Sequence, residues 1–345
     1  DDDTIFSEYD GDFKLDAIPN QLTVDLGGSD ESIFDLVAIE NANLTGGDRA
    51  NTFEVYFWDG GMEIDGLYND DILRVEHNNL DMILQDTSVA LANGSAYQFS
   101  SVENVILVGG PGNNTLDASL YTQGATLIGN DGDDTLLGGS GADTFVFTID
   151  DLTGPNTDTV SGGGGIDTID FSATTNAFDI DIDLGTTGVA QTVEPGLLDL
   201  ILVTEDIENI LGGAGNDVLT GNSLTNRIFG GAGDDQIAGA GGSDYYEYDG
   251  DPGVPWGDDT IIEFAGGGND TIDFSLTTTT PIVFDLSLGG SQIFANGTIT
   301  VGGDADFENL IGGEGDDILT GNGITNNIFA LGGNDELNGG GGDDR

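Results

Sequence analysis

The feature that most constrains this chain is a nine-residue repeat, G-G-x-G-x-D-x-U-x, in which U is an apolar residue. Four units run in frame from Gly212, and the same frame returns from Gly312. Looser units begin at Gly109 and Gly129, and single units begin at Gly162 and Ala265. Short repeats of this kind stack on one another to bury a common core, so the pattern predicts an array of similar coils.

Each unit combines a strand signal with a turn signal. Position 8 is apolar in the best complete units and its neighbours point outward, which predicts a short strand with one inward side chain. The six Gly-rich residues before it predict a sharp turn with positive φ. Two units make one coil of about 18 residues. The predicted fold class is therefore all-β, a right-handed parallel β-roll or β-solenoid.

The charge of the chain restricts its partners. The sequence has 64 Asp and Glu against 5 Lys and Arg, a formal net charge of −59. Such a charge excludes direct binding to nucleic-acid phosphates and to anionic lipid, because both need a basic surface. Hydrophobic residues make up 37% of the chain, enough for a core once the carboxylates are neutralised. Oxygen-rich acidic loops predict a hard divalent cation as the partner.

A longer period overlies the short one. An apolar-Glu-Asn motif stands just before a Gly-rich block at 39–41, 102–104, 207–209 and 307–309. We therefore predict six segments. They are an irregular β-solenoid with degenerate repeats (1–108), a first β-roll block (109–170), a β segment (171–211), a second β-roll block (212–273), a second β segment (274–311) and a truncated third β-roll block (312–345).

The nonapeptides resemble those of the repeats-in-toxin (RTX) family, whose parallel β-roll binds Ca²⁺ in its turns. Residues 109–143, 212–247 and 312–345 carry the resemblance, and the longer period is similar to tandem modules of large secreted bacterial RTX proteins. The resemblance implies that position-6 residues of successive coils share a Ca²⁺ with carbonyl groups of the turns. The implied pairs are Asp134 with Asp158, Asp143 with Asp167, Asp217 with Asp235, Asn226 with Asp244, Asp235 with Asp259, Asp244 with Asp270, Asp317 with Asp335, and Asn326 with Asp344.

The calcium hypothesis also has a physical basis apart from the family. Carboxylates stacked at the strand spacing of ~4.8 Å repel one another, and Ca²⁺ takes six to eight oxygen ligands. Asn226 and Asn326 carry no charge, so we expect weaker or empty sites there. The alternative is that the Asp-Gly clusters serve only as turn residues.

No residue is predicted to be catalytic, and the chain is not expected to be an enzyme. Adjacent acids such as Asp133 and Asp134 recur in every copy, whereas a glycosidase pair would be singular. His77 is the only histidine, so a Ser-His-Asp triad would have to use it. The aromatic cluster Tyr245, Tyr246, Tyr248 and Trp256 is interpreted as a cover over the solenoid, with sugar stacking as the alternative.

These features favour a secreted, calcium-dependent structural protein of the bacterial cell surface or matrix, such as a filament, surface-layer or adhesin-stalk subunit. The alternative is the carrier or secretion region of an RTX enzyme or toxin whose active domain lies outside this chain. The sequence opens and closes in mid-unit, which predicts either end-to-end self-association or a piece of a longer repetitive protein. We expect no nucleic-acid partner and no membrane insertion, while contact with a cell surface or a carbohydrate remains an alternative.

Overall fold

The computed structural model describes the backbone of the five strands between residues 4 and 45, and most of residues 50–345. The residues in that second range that lie outside the description are 57–59, 68, 79, 150–153, 176–177, 254, 264–267 and 303–306. The described residues form strands and turns, with no α-helix among them. The prediction of an all-β fold is confirmed. The first apolar-Glu-Asn motif, at 39–41, lies mostly outside the described residues.

The chain divides into two compact units, the first comprising residues 1–147 and 151–167. One of its sheets has the order β1-β5-β7-β11-β10-β9-β13-β15-β17 and another has the order β4-β3-β2-β6-β8-β12-β14-β16. Most neighbours are parallel. The strands are β1 (Thr4–Glu8), β2 (Asp12–Asp16), β3 (Gln21–Asp25), β4 (Glu31–Asp35), β5 (Asn41–Thr45), β6 (Thr52–Tyr56), β7 (Gly61–Asp65), β8 (Ile72–Glu76), β9 (Met82–Gln85), β10 (Ser88–Leu91), β11 (Ala96–Ser100), β12 (Asn104–Val108), β13 (Thr115–Leu120), β14 (Ala125–Ile128), β15 (Thr135–Leu137), β16 (Thr144–Val146) and β17 (Asn156–Ser161).

The second unit comprises residues 148–150 and 168–345. Its strands pair in the orders β18-β22-β24-β26-β28-β32-β34, β19-β23-β25-β27-β31-β30, β29-β33-β35 and β21-β20. The strands are β18 (Thr168–Asp170), β19 (Asp181–Asp183), β20 (Gln191–Glu194), β21 (Leu198–Leu202), β22 (Asn209–Leu211), β23 (Val218–Thr220), β24 (Arg227–Phe229), β25 (Gln236–Ala238), β26 (Tyr245–Glu247), β27 (Gly257–Ile262), β28 (Thr271–Asp273), β29 (Val283–Asp285), β30 (Gly290–Ile293), β31 (Gly297–Gly302), β32 (Asn309–Ile311), β33 (Ile318–Thr320), β34 (Asn327–Phe329) and β35 (Glu336–Asn338).

The register between parallel neighbours reports the length of each coil. In the second unit Asn209 pairs with Arg227 and Val218 pairs with Gln236, which is the 18-residue spacing that the nonapeptides predict. Coil length varies in both units: Thr52 pairs with Ile72 and Thr126 with Thr144 in the first, and Tyr245 pairs with Thr271 in the second. Successive inward side chains are nevertheless in register, because each strand still faces its equivalent on the next coil.

Position 8 of the repeat forms the core, as the sequence predicts. Ile169, Ile210, Ile228, Tyr246, Ile272, Leu310 and Ile328 face one another in that order across seven parallel strands. All seven are buried. Leu337 differs, because it is 50% exposed on β35, the outer strand of its sheet. Ile328, by contrast, stays buried at 8% exposure although β34 is also an outer strand.

Glycine at position 1 is required by close packing between coils. A Cβ atom on Gly212 would lie 2.1 Å from the carbonyl oxygen of Gly230, on the next coil, and 2.8 Å from Oδ2 of Asp217. Glycine at position 4 is required by the backbone, since Gly233 has φ of 129°. The Gly-rich half of each unit therefore brings carbonyl groups and the position-6 side chain close together.

Antiparallel hairpins extend the solenoid in the two less Gly-rich segments. β20 pairs with β21, and β30 pairs with β31. One glutamine in each hairpin fixes it to the preceding strand: Gln191 accepts the N–H of Asp183 and donates to its carbonyl, and Gln292 does the same with Asp285. The two segments are thus copies of one structure, which agrees with the long period in the sequence.

Candidate metal centre

The position-6 residues form a ladder that runs from coil to coil. In each pair, the backbone N–H of one position-6 residue donates a hydrogen bond to Oδ1 of the position-6 side chain on the next coil. All eight pairs that the sequence analysis implies are neighbours of this kind. The N–H to Oδ1 distances are 2.8 Å for Asp134–Asp158, Asp143–Asp167, Asp217–Asp235 and Asn226–Asp244, 2.9 Å for Asp244–Asp270 and Asp317–Asp335, and 3.0 Å for Asp235–Asp259 and Asn326–Asp344.

The second carboxylate oxygen faces the residue's own Gly-rich turn. Oδ2 of Asp217 accepts the N–H of Gly213 at 2.8 Å, and Oδ2 of Asp317 accepts that of Gly313 at the same distance. Oδ2 of Asp134 and Oδ2 of Asp235 are buried and have no hydrogen-bond partner. A buried anionic oxygen without a donor is costly, and a hard cation satisfies it. These side chains therefore fit Ca²⁺.

Burial of the ladder perturbs its protonation. Asp335 and Asp344 are half-buried and the other twelve predicted residues are buried. Burial raises the pKa values most, backbone hydrogen bonds lower them, and neighbouring carboxylates raise several further. The pKa is raised to about 8 for Asp134 and Asp259, about 7 for Asp158, Asp235 and Asp244, and about 6 for Asp217. A bound divalent cation would reverse this shift, because it stabilises the charged form.

The pair Asp244–Asp270 has a third carboxylate beside it, that of Glu263, which was not predicted from the sequence. Ligand oxygens of Asp244, Glu263 and Asp270 all lie within 4.8 Å of one another, and all three residues are buried. The Tyr246 hydroxyl donates to Glu263 and accepts the N–H of Gly239 at 2.7 Å. Glu263 follows β27 outside any nonapeptide frame, so no repeat position could have identified it.

Asn226 and Asn326 differ from the aspartates as expected from their chemistry. Oδ1 of Asn226 accepts the N–H of Asn222 at 2.7 Å, and its Nδ2 donates to the carbonyl of Glu208 at 2.9 Å. Asn326 donates through Nδ2 to the carbonyl of Phe307 at 2.9 Å. An amide nitrogen occupies the place of a carboxylate oxygen and uses a turn carbonyl as its acceptor. This arrangement supports the expectation of weak or empty sites at these two positions.

A second ladder at position 5 was not predicted. Oδ1 of Asp234 accepts the N–H of Asp258 at 2.9 Å, and Oδ1 of Asp316 accepts that of Asn334 at 2.8 Å. Position-5 side chains bond to the following coil, whereas position-6 side chains bond to the preceding one. The position-5 ladder is exposed. The sequence signal that could have predicted this ladder is the Asp or Asn that recurs in frame at position 5.

The glutamate of the apolar-Glu-Asn motif takes a place in the position-6 ladder. Oε2 of Glu103 accepts the N–H of Asp71, and Oε2 of Glu308 accepts that of Asp270, both at 2.9 Å. These glutamates belong to coils in which the nonapeptide frame is interrupted. A longer side chain therefore continues the ladder where no position-6 aspartate is present.

Three of the four residues of the aromatic cluster belong to the core, while Tyr245 is half-buried on β26 beneath the Arg227 guanidinium. Tyr246, Tyr248 and Trp256 are buried, and Trp256 packs edge-on against Tyr248 and Phe294. Their rings cover the interior where the regular frame is interrupted. They are therefore not available as an exposed platform for a sugar.

The comparisons with known proteins agree with this geometry. The family described as the RTX calcium-binding nonapeptide repeat (4 copies) matches residues 124–147, 152–170, 204–223, 211–246, 302–323 and 320–345. Six of the eight ladder pairs lie within the matched residues, whereas Asp259 and Asp270 lie outside them. No match was found among curated proteins.

The matched family indicates which ligand the repeats bind and where proteins that contain them are found. Its repeats bind calcium, and proteins that contain them are typically secreted by bacteria. No helix in the described part of the chain is long and apolar enough to cross a membrane. The segments 124–147, 152–170, 204–246 and 302–345 of this chain are therefore similar to the RTX calcium-binding nonapeptide repeats.

Proposed function

We propose that the chain is a secreted structural element whose stiffness depends on Ca²⁺ held between its coils. The observation that carries this proposal is the position-6 ladder. Each pair of carboxylates joins one coil to the next, and both oxygens face the gap between coils or the turn beside it. Every bound cation would therefore link two coils, and a row of them would act along the length of the solenoid.

The recurrence of the acids supports a structural role over a catalytic one. Ladder residues repeat through both compact units with the same N–H to Oδ1 bond, whereas a catalytic pair would be singular. Among the described residues, Asp244, Glu263 and Asp270 form the one cluster of three metal-type ligands. This cluster continues the ladder. We therefore propose that the chain acts as a binding scaffold and is not an enzyme.

Self-association between copies is part of the proposal. Phe329 and Leu337 are 56% and 50% exposed on the outer strands β34 and β35. A further coil stacked there would cover both side chains and pair the open strand edges. That coil could come from a longer chain or from a second copy, and here we propose the second copy.

Replacing Asp235 tests the ligand role. Oδ1 of Asp235 accepts the backbone N–H of Asp217, and the backbone N–H of Asp235 donates to Oδ1 of Asp259. Asp235 therefore belongs to two pairs. In Asp235→Asn the amide keeps an acceptor but loses the charge, and we expect the loss of one or two bound Ca²⁺ per chain. At a calcium concentration a hundredfold above the dissociation constant, each lost site lowers the free energy of unfolding by about 3 kcal/mol.

Asp234→Asn is the matched control, because it removes the same charge from the adjacent, exposed position. Titration calorimetry counts the bound ions, and thermal unfolding in excess calcium reports stability. We expect Asp234→Asn to bind as many ions as the unmodified chain. Equal losses for the two variants would contradict the assignment of position 6 as the ligand position.

Electron microscopy of the full chain tests the structural role. In millimolar Ca²⁺ we expect fibres, lattices or elongated rods, which shorten or separate when a chelator is added. Asp235→Asn should need more calcium than Asp234→Asn for the same assembly. Compact isolated particles, together with hydrolysis or epimerisation of a polymer, would contradict the proposal and favour the carrier region of an enzyme.

A further inference from the structure

A buried carboxylate in the first unit repeats the ladder geometry outside the residues that the family matches. Asp71 follows the sequence Gly66-Leu67-Tyr68-Asn69-Asp70, and Leu73 comes two residues later. In the frame of the nonapeptide, Asp71 occupies position 6 and Leu73 occupies the apolar position 8. Asn69, at position 4, has φ of 72°, a left-handed conformation like that of Gly233. Asn is one of the residues that tolerate it.

Asp71 lies between two neighbouring coils. Its Oδ1 accepts the N–H of Asn51 at 2.6 Å, and its own N–H donates to Oε2 of Glu103 at 2.9 Å. Parallel pairing of β8 with β6 and with β12 holds the three coils in register. Asp71 is 0% exposed. It therefore has the same two backbone contacts as Asp235, with Glu103 in place of the aspartate on the next coil.

The second oxygen of Asp71 has no partner. Oδ2 is buried and receives no hydrogen bond. It lies 2.2 Å from the point where a Cβ on Gly66 would stand, and the carbonyl oxygen of Ser101 lies 2.0 Å from that same point. At Gly212 the corresponding atoms are Oδ2 of Asp217 and the carbonyl oxygen of Gly230. Two acceptor oxygens thus converge beside Gly66 with no donor between them.

We propose that Asp71, the carbonyl of Ser101 and the carboxylate of Glu103 belong to a further calcium-class cation site in the first unit. Oxygen ligands of mixed carboxylate and carbonyl type are those that Ca²⁺ prefers. A buried anionic oxygen without a donor is stabilised by a cation or by a proton of its own. Glu103 adds a second negative charge beside the site, which favours the cation.

A cation at Asp71 is independent of the structural role proposed above. The repeats of the second unit can bind calcium and stiffen the chain whether or not Asp71 holds an ion. With an ion at Asp71, calcium dependence extends into the degenerate first unit, to a coil whose sequence departs from the Gly-rich pattern.

Asp71→Asn in the full chain tests the site. The variant is expected to fold, because Oδ1 can keep the N–H of Asn51 while Nδ2 donates to the carbonyl of Ser101. Asn226 and Asn326 show that the ladder accepts asparagine. We expect Asp71→Asn to bind one Ca²⁺ fewer by native mass spectrometry, and to lose the calcium-dependent protection of residues 61–76 in hydrogen exchange.

Asp70→Asn is the matched control, since Asp70 is exposed and adjacent. It should retain the full number of ions and the protection of 61–76. A second variant, Glu103→Gln, keeps an acceptor for the N–H of Asp71 and removes one charge. We expect it to raise the calcium concentration for half-protection of this segment roughly threefold to tenfold.

The outcomes separate a cation from a proton at Asp71. An unchanged ion count with intact protection in both Asp71→Asn and Glu103→Gln would overturn the inference and show that Asp71 is a neutral acid bonded to Ser101. Loss of ions from the second unit in Asp235→Asn, with none lost in Asp71→Asn, would leave the structural proposal in place while rejecting this site. If Asp71→Asn fails to fold, the shift or constancy of the calcium midpoint in Glu103→Gln decides.

Discussion

Removal of calcium at pH 7.5 is expected to abolish most of the β structure of the full chain. A pKa raised from 3.8 to about 7, as at Asp235, corresponds to about 4 kcal/mol of destabilisation at neutral pH. Six ladder aspartates have pKa values raised to between about 6 and about 8. Costs of this kind at several neighbouring coils oppose folding, and a domain is usually stable by only 5–15 kcal/mol. Without a cation, the folded ladder should not persist.

Far-ultraviolet circular dichroism and hydrodynamic radius, measured with excess chelator and after calcium is restored, check this prediction. We expect the β signal to disappear and the radius to expand in chelator, with full recovery in millimolar Ca²⁺. Magnesium at the same concentration is the control, because its small ion demands octahedral geometry and gives up its water reluctantly. An unchanged spectrum in chelator would contradict the calcium-dependent fold.

The regular part of the fold was predictable because one residue type recurs at one position. Position 8 identified the core column, and the resemblance to RTX repeats implied the eight ladder pairs, four of which join in-frame residues 18 apart, such as Asp217 and Asp235. The 18-residue coil followed from two nonapeptides. The core column and the coil length needed only the period of the repeat, since each coil contacts its neighbours alone.

The parts that could not be predicted are those in which a residue outside the regular position 6 supplies the carboxylate. Glu103 and Glu308 take the place of an aspartate in the ladder. Both belong to the recurring apolar-Glu-Asn motif, but the sequence did not show which backbone N–H each glutamate would bind. Glu263 joins its cluster from outside any frame. Asp71 stands in a unit with a single glycine, at position 1, so its match to the nonapeptide lies in Asn69, Asp71 and Leu73. Such substitutions depend on which coils become neighbours, and coil length varies through inserted hairpins.

In the absence of calcium, acidification is expected to restore stability. Between the unfolded-state pKa of about 4 and the folded-state values near 7, the native ladder binds more protons than the unfolded chain. The free energy of unfolding of the calcium-free chain therefore falls as pH rises through this window and increases as pH is lowered. From pH 7.5 to pH 5, each ladder aspartate with a pKa near 7 should contribute about 3 kcal/mol of regained stability.

The calcium-loaded chain should show the opposite dependence. A bound cation keeps its carboxylates ionised, so protons compete with calcium and stability is lost as pH falls. Urea unfolding at pH 5.0, 6.0 and 7.5, with chelator and with millimolar Ca²⁺, measures both profiles above the sequence pI of about 4.1. The two profiles should converge toward acid and diverge toward neutral pH.

The variant Asp235→Asn tests whether the ladder aspartates cause the opposite pH dependences of the calcium-free and calcium-loaded chains. An amide in place of Asp235 does not titrate, so the calcium-free variant should lose part of the increase in stability between pH 7.5 and pH 5. Asp234→Asn should retain the full increase, because Asp234 is exposed and belongs to the position-5 ladder.

Parallel pH profiles for the unmodified chain and Asp235→Asn would mean that the ladder carboxylates are ionised without calcium. The calcium requirement would then have to come from general repulsion among the −59 charges, which added salt would relieve. A calcium-free chain that stays unfolded in high salt at pH 7.5 but gains structure at pH 5 would locate the requirement in the buried ladder.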